Sequence, residues 1–368
     1  MALDLDRRKV MTSIGLGILT VGTASTSRAT DARAATKSLP PRLRALAVFS
    51  PIASEREKDG GDRLARYEEW LGRKVGKVTD NASETGDWAQ LTRTVIYIRD
   101  FWGKKPVDLL IRIPLLPYSA KGQFSAGADG KFDPYFLELA RSLSSILDVS
   151  HSGANRTLRL GLGWENNGNW YPWFAKADPG AYKAFYQRVV EIFRAADPRF
   201  RFDWNTSLGV MHLSPDVIFP GKNYVDSIGL DIYDQFPIGS SYGFGNHAHR
   251  FSELYKDGPF GLDYWNSRSR ELGLPIVVGE WGVADWTKTW MGGGVQGGGD
   301  NPYFIEQMAA WFDSLSERLI WQSYFERFYK GANHSLSRGP MLSDGRTLGP
   351  TLFPKASAKY LELFGKDA

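Results

Sequence analysis

The chain has 368 residues, a formal net charge of +4 at pH 7 and no cysteine. With 42% apolar and 23% charged residues it reads as an ordinary soluble globule, and no basic run or stripe offers a footprint for nucleic acid. Aromatic residues reach 14%, with 13 Trp, a surplus that carbohydrate-binding proteins are one class to use.

The N-terminal stretch reads as an address. Asp6-Arg7-Arg8-Lys9-Val10-Met11 precedes the small, apolar run Ser13–Ala24, and Ala32-Arg33-Ala34 offers an A-x-A cleavage site. Paired arginines before a mild apolar stretch look like a twin-arginine export signal over residues 1–34, removed on export. An ordinary secretory signal or an uncleaved anchor is the alternative. The run is too short to span a membrane, so stable membrane insertion is not expected. A cysteine-free chain needs no disulfide machinery, which suits export in the folded state. The expected location is periplasmic or extracellular.

Residues 35–43 look like a short polar tether. Apolar runs then alternate with helical patterns. Strands are predicted at Arg44–Pro51, Lys74–Asn81, Val107–Ile113, Thr157–Gly163, Phe200–Asn205, Val225–Asp231, Pro275–Gly279 and Arg318–Tyr324. Helices are predicted at Glu55–Leu71, Trp88–Trp102, Asp133–Leu147, Pro179–Ala196, Phe260–Leu272, Tyr303–Ser316 and Pro354–Phe364. Asp133 is a candidate cap, with Pro134 at the first helical position. Eight short apolar strands, each followed by a helix, argue a parallel sheet closed into a single α/β domain, a (β/α)8 TIM barrel over residues 44–368. The rival, an open doubly wound sheet, lacks a G-x-G-x-x-G after the first strand.

In such a barrel the working side chains sit at the C-terminal ends of the strands. Strand four ends in Gly163-Trp164-Glu165-Asn166-Asn167-Gly168-Asn169-Trp170-Tyr171-Pro172-Trp173, a carboxylate ringed by amides and aromatics. Indole faces stack on sugar C–H faces, amides pair with hydroxyls, and an apolar wall raises a carboxyl pKa towards that of a general acid. Strand seven ends at Val278-Gly279-Glu280-Trp281-Gly282, whose glycines let backbone and sugar approach. Glu165 and Glu280 therefore enter one mouth as the carboxylate pair that glycoside hydrolysis needs. Tyr233, at the end of strand six, can donate a hydrogen bond that holds the second one ionised. Candidate sugar contacts are Trp164, Asn166, Asn167, Trp170, Trp173, Asn205, Asp231, Trp281 and Trp321, with Trp286 and Trp290 as further platforms. Arg112, at the end of strand three, can orient a carboxylate or an acidic sugar, or serve as an ion-pair partner. Gly292–Asp300 can act as a lid or as a passive loop. His247 and His249 lack a third ligand nearby, and neither a metal nor another cofactor is expected.

Glu165-Asn166-Asn167-Gly168-Asn169-Trp170, with Gly229-Leu230-Asp231-Ile232-Tyr233 and Ile276-Val277-Val278-Gly279-Glu280-Trp281-Gly282, resembles glycoside hydrolase family 26 of the clan A (4/7) barrel enzymes. Order and spacing match over roughly residues 44–365, although only these blocks are specific. The resemblance implies a retaining β-glycanase with Glu165 as acid/base, Glu280 as nucleophile and Tyr233 bonded to the nucleophile. The family's mannanases usually place His directly before the acid/base, and an Arg-Pro pair shortly before that. Here those places hold Trp164 and Gly161-Leu162-Gly163, so mannan, β-glucan, β-xylan and a bacterial exopolysaccharide all stay open. The expected partner is a polysaccharide or oligosaccharide substrate, and the chain is expected to be a monomer. A non-catalytic carbohydrate-binding or exopolysaccharide-assembly protein on a degenerate barrel is the rival reading, as is a narrow trimming enzyme of polysaccharide synthesis.

Overall fold

A computed structural model describes residues 39–51, 63–148, 157–208, 213–237, 246–285, 295–329, 332–339 and 349–368. The expected export signal and Trp286 and Trp290 lie outside the described residues. Eight strands close a parallel barrel: β1 (Leu46–Phe49), β2 (Lys77–Asn81), β3 (Asp108–Ile113), β4 (Leu158–Leu162), β5 (Phe200–Ser207), β6 (Ser227–Tyr233), β7 (Ile276–Gly282) and β8 (Leu319–Tyr324), with β1 paired to both β2 and β8. The strands are buried almost throughout, polar residues included, because parallel barrel strands are covered on both faces. Their outward side chains meet the helices in one continuous core. Inside the barrel, Ala47, Leu110, Val277 and Trp321 form a separate lower layer that closes the floor.

The helices follow their apolar spacing. Trp88–Trp102 buries Trp88, Leu91, Thr92, Val95, Ile98 and Trp102, one stripe at helical period, and Asp87 caps it by accepting from the Gln90 N–H at 2.9 Å. Pro354–Phe364 starts where Asp300 accepts from the N–H groups of Lys355 and Ala356. Three expectations change. The end of the supposed tether folds, since Pro41–Arg44 is a short helix with Leu43 buried and Arg42 paired to Asp313. Asp133 is the first helical residue and makes no cap; its carboxylate instead binds Arg188 through two N–H groups, at 2.7 and 2.6 Å. Between β5 and β6 the described residues hold only a four-residue α-helix, Pro215–Ile218, and a 3-10 turn, Lys222–Tyr224, where a full-length helix would complete the pattern.

One polar cluster ties the loops at the mouth. Asp234, directly after β6, is fully buried and accepts from Arg250 Nε (3.2 Å), Tyr255 Oη (3.0 Å) and Asn301 Nδ2 (2.7 Å). Its own N–H donates to Gly282 O at the end of β7, and its carbonyl accepts from Gly298 N. Alongside, Gln235–Pro237 pairs antiparallel with Val295–Gly297. The second half of the glycine-rich loop is thereby anchored. His247 turns its Nδ1 towards Arg250, 2.9 Å from NH2.

Candidate active site

The acid side of the mouth begins where β4 stops. Gly163 takes φ +53°, and a Cβ there would lie 3.0 Å from Leu115 Cβ and 3.1 Å from Trp173 Cδ1, so only glycine fits. Two residues on, Glu165 itself holds φ +47°, a left-handed conformation that costs a non-glycine residue on the order of 1 kcal/mol. The surroundings hold it there. The Glu165 N–H donates to Asn205 Oδ1 at 2.7 Å, and its carbonyl accepts from Gly168 N at 2.8 Å. The residue is 8% exposed, and Trp170 Nε1 donates to its Oε2 at 2.8 Å. Burial, with the nearby Asp231 and Glu280 carboxylates adding to it, pushes its pKa up to about 8, against the pull of Trp170 and Arg112. At neutral pH this group carries a proton.

The opposite carboxylate depends on an irregularity. Val277 faces the barrel interior and Val278 the helices, so strict alternation would send Glu280 outwards with Val278. The pairing with β6 slips between Leu230/Val278 and Asp231/Glu280, and the pairing with β8 slips between Gln322/Val278 and Tyr324/Trp281. Both neighbours thus meet an extra residue in β7, a β-bulge that turns Glu280 into the mouth and Trp281 out. Glu280 is 6% exposed and accepts from Tyr233 Oη, from Arg112 NH1 at 2.7 Å and from Asn81 Nδ2 at 3.2 Å. Burial, then the charges of Glu280 and Asp231, push the Tyr233 hydroxyl well above its ordinary value, so it stays a phenol and donates.

Arg112, 1% exposed, joins the two sides. It donates from NH1 to Asp231 Oδ2 at 2.8 Å and from NH2 to Oδ1, while NH1 also reaches Glu280. Burial opposes its charge, but Asp231 and Glu280 outweigh that and hold the guanidinium protonated. Burial also raises Asp231, with Arg112 pulling it back. Asn205 Nδ2 donates to Asp231 Oδ1 at 3.0 Å, which closes a chain from Glu280 through Arg112, Asp231 and Asn205 to the backbone of Glu165.

The structure brings Glu165, Glu280, Tyr233, Asp231, Asn205, Arg112 and Trp170 together. It removes most of the expected sugar contacts. Trp164 and Trp173 are 1% and 0% exposed; they pack on each other, and Trp173 Nε1 donates to Trp164 O at 2.6 Å. Trp281 lies behind its strand against Phe312, Tyr324 and Tyr360, with Nε1 on Gln322 Oε1 at 2.7 Å. Trp321 fills the barrel floor and donates to Thr79 Oγ1. None of the four is a platform; Trp170 alone among the five named indoles is half-buried. Asn166 and Asn167 fold the loop rather than meet sugar. Asn166 Nδ2 reaches Tyr182 Oη, and Asn167 bonds both N–H and C=O of Ser207. Asn205, Asp231 and Arg112 are 2%, 0% and 1% exposed and serve the carboxylates instead. Gly279 does not make room for sugar either, because Arg112 occupies its space.

Two residues were missed. Asn81 is the polar last residue of β2, and its place at a strand end was the available signal. His334 comes from the stretch beyond β8, with no spacing to betray it. Its ring packs 4.9 Å from Tyr233, and burial drives its pKa down to about 3, so it is neutral.

Residues 158–253, from β4 to just beyond β6, match the model of glycosyl hydrolase family 26. No curated protein matches the chain by sequence. Among solved structures, the catalytic domain of an endo-beta-1,4-mannanase of that family from Bacillus sp. JAMB-750 is similar, with 16% identity, TM-score 0.56 and 87% of each chain covered. The Bacillus subtilis mannanase BCman (12%, TM-score 0.54) and the B. subtilis protein YdhT (13%, TM-score 0.53) each cover 88% of this chain over 86% of their own. These likenesses lie in the barrel fold, whereas the family match falls on the segment that carries Glu165, Asn205, Asp231 and Tyr233. The chain is a glycoside hydrolase similar to family 26, built on a (β/α)8 barrel.

Proposed function

We propose that the protein is a retaining, endo-acting hydrolase of a β-linked polysaccharide: a mannan, a β-glucan or a bacterial exopolysaccharide. One observation carries the reading. Two carboxylates at the ends of β4 and β7 have opposite surroundings, Glu165 raised to about 8 and Glu280 receiving three hydrogen-bond donors. A buried acid raised on one side, facing a carboxylate that receives a guanidinium, a phenol and an amide on the other, assigns the roles. Glu165 gives its proton to the glycosidic oxygen as Glu280 attacks the anomeric carbon, which forms a glycosyl ester and releases the leaving sugar. Glu165, now ionised, takes a proton from water; the water attacks the same carbon, Glu280 leaves as carboxylate, and the configuration is retained. Endo action is suggested by the similar endo-mannanase. The buried Trp164 and the Gly161-Leu162-Gly163 stretch leave the sugar open.

Release of reducing ends by purified residues 35–368 from mannan, mixed-linkage glucan, xylan and the host's own exopolysaccharide, with Glu280→Gln alongside, tests this. Cleavage of one polymer that vanishes in the variant supports the hydrolase and names its substrate. Silence on all four, with binding to one, favours the non-catalytic binding protein. We further propose export, on the strength of Arg7-Arg8 ahead of the apolar run. Retention of the full chain in the cytoplasm of a cell with an intact twin-arginine system would count against it.

A further inference from the structure

A cation buried among three carboxylates needs a seat, and two glycines supply it. Arg112 stands directly across the register from Gly161 on β4. A Cβ at Gly161 would lie 3.0 Å from Arg112 Cγ, and its three nearest heavy atoms would all belong to Arg112. On β7, a Cβ at Gly279 would fall 2.1 Å from Arg112 NH2, 2.9 Å from Cζ and 3.1 Å from Nε. The side chain therefore runs over one strand and ends against another; a Cβ on the first would press on its Cγ, and one on the second would displace the guanidinium. We propose that Arg112 is a positioning residue for Glu280, seated in a slot cut into the barrel wall by Gly161 and Gly279. This inference rests on the Glu165/Glu280 reading above.

The physical case is one of charge. Glu165, Asp231 and Glu280 are each under 9% exposed, and like charges in such a place drive carboxyls to protonate. Arg112 is the cation bonded to Glu280, and its bidentate hold on Asp231 fixes where that cation points. Asp231 also keeps the guanidinium in place when Glu280 becomes an ester and loses its negative charge. In the second step the waiting guanidinium stabilises the departing carboxylate. Lysine, a single point charge, cannot span two carboxylates at fixed angles.

The test is the pH profile of kcat/KM on 2,4-dinitrophenyl β-glycosides of mannobiose, cellobiose and xylobiose. Gly279→Ala removes no hydrogen-bonding group but takes the space of the guanidinium; Arg112→Met removes the cation. Both are expected to move the acidic limb up by about 1–2 pH units, the usual effect of losing an adjacent opposite charge, and to lower kcat/KM at pH 6 at least ~10-fold. The transplant Arg112→Gly with Gly161→Arg roots the cation on β4 instead. It should return the limb to its wild-type place and recover at least ~10-fold over Arg112→Gly alone. A folded Arg112→Met or Gly279→Ala with an unmoved limb overturns the proposal. If neither folds, the transplant decides: a folded transplant with a displaced limb overturns it too. A wild type silent both on these glycosides and on all four polymers above, or a Glu280→Gln variant with full turnover, would instead refute the reading beneath.

Discussion

Replacing Glu165 by Gln should make the protein more stable as it makes it inactive, and the gain should depend on pH. The sign follows from linkage. Glu165 titrates near 8 in the fold against an ordinary 4.5, so the native state keeps a proton that the unfolded chain releases. Below about pH 4.5 both states are protonated and the residue adds no strain. Between 4.5 and 8 the cost of keeping the carboxyl buried grows, and above 8 it is constant. At about 1.4 kcal/mol per pH unit, that interval sets an upper bound of about 5 kcal/mol. Gln keeps an oxygen for Trp170 Nε1 but brings an amide N–H2 with no assigned partner, a loss of ~1–2 kcal/mol. We expect a net gain of about 2–3 kcal/mol at pH 8 and none at pH 5. Urea unfolding followed by circular dichroism at pH 5, 6, 7 and 8, for both proteins, measures it. A gain of the same size at every pH, or a loss at pH 8, would refute the claim that a displaced ionisation is stored at Glu165.

Other outcomes follow from the same geometry. Glu280→Ala should lower kcat by at least ~10⁴-fold while oligosaccharide binding, read by calorimetry, survives; full turnover excludes Glu280 as nucleophile. Glu165→Ala should regain activity with azide on dinitrophenyl glycosides, giving a glycosyl azide of retained configuration, and a folded variant without rescue counts against its role. Trp170→Phe removes the donor that holds Glu165 down, so the alkaline limb of the kcat/KM profile should move further up; a downward move contradicts the hydrogen bond. Trp281→Phe should cost about 1–3 kcal/mol of stability and leave KM unchanged, because its indole faces the helices; a raised KM with unchanged stability would restore it as a sugar contact.

The barrel was legible because its signals are local. Trp88–Trp102 and Pro354–Phe364 fall where their apolar periods put them, since amphipathic stripes and caps act within a few residues. Glu165 was legible as a carboxylate closing a buried strand. What failed was sidedness. Trp281 and Trp321 neighbour the mouth in sequence, but Trp281 is sent outwards against the helices, and Trp321, though it points inwards, lies at the level of the barrel floor. The bulge in β7 makes this sharper, because Glu280 reaches the mouth only through a register slip visible in the pairing of β6 and β8. Arg112 was open between a carboxylate, an acidic sugar and an ion pair, and the structure pairs it with Asp231 and Glu280. Its slot was not readable, because Gly161 and Gly279 lie far apart in the chain and meet only once the barrel closes.

The Asp234 cluster has a consequence for how this enzyme can be diversified. Its five partners draw the segments after β6 and β7 into one part, and a Cβ at Gly298 would fall 1.9 Å from Asp234 Oδ2. Substitutions in 234–237 and 295–301 are therefore not independent, and a library that varies one stretch alone will mostly sample broken clusters. Glu326, by contrast, gathers Ser335, Leu336 and Ser337 within its own stretch beyond β8. That stretch is nonetheless tied to the segment after β7, by the paired Asn333–Asp285 backbone hydrogen bonds and by His334 Nδ1 at 2.9 Å from Val283 O, so its substitutions too are coupled across the mouth.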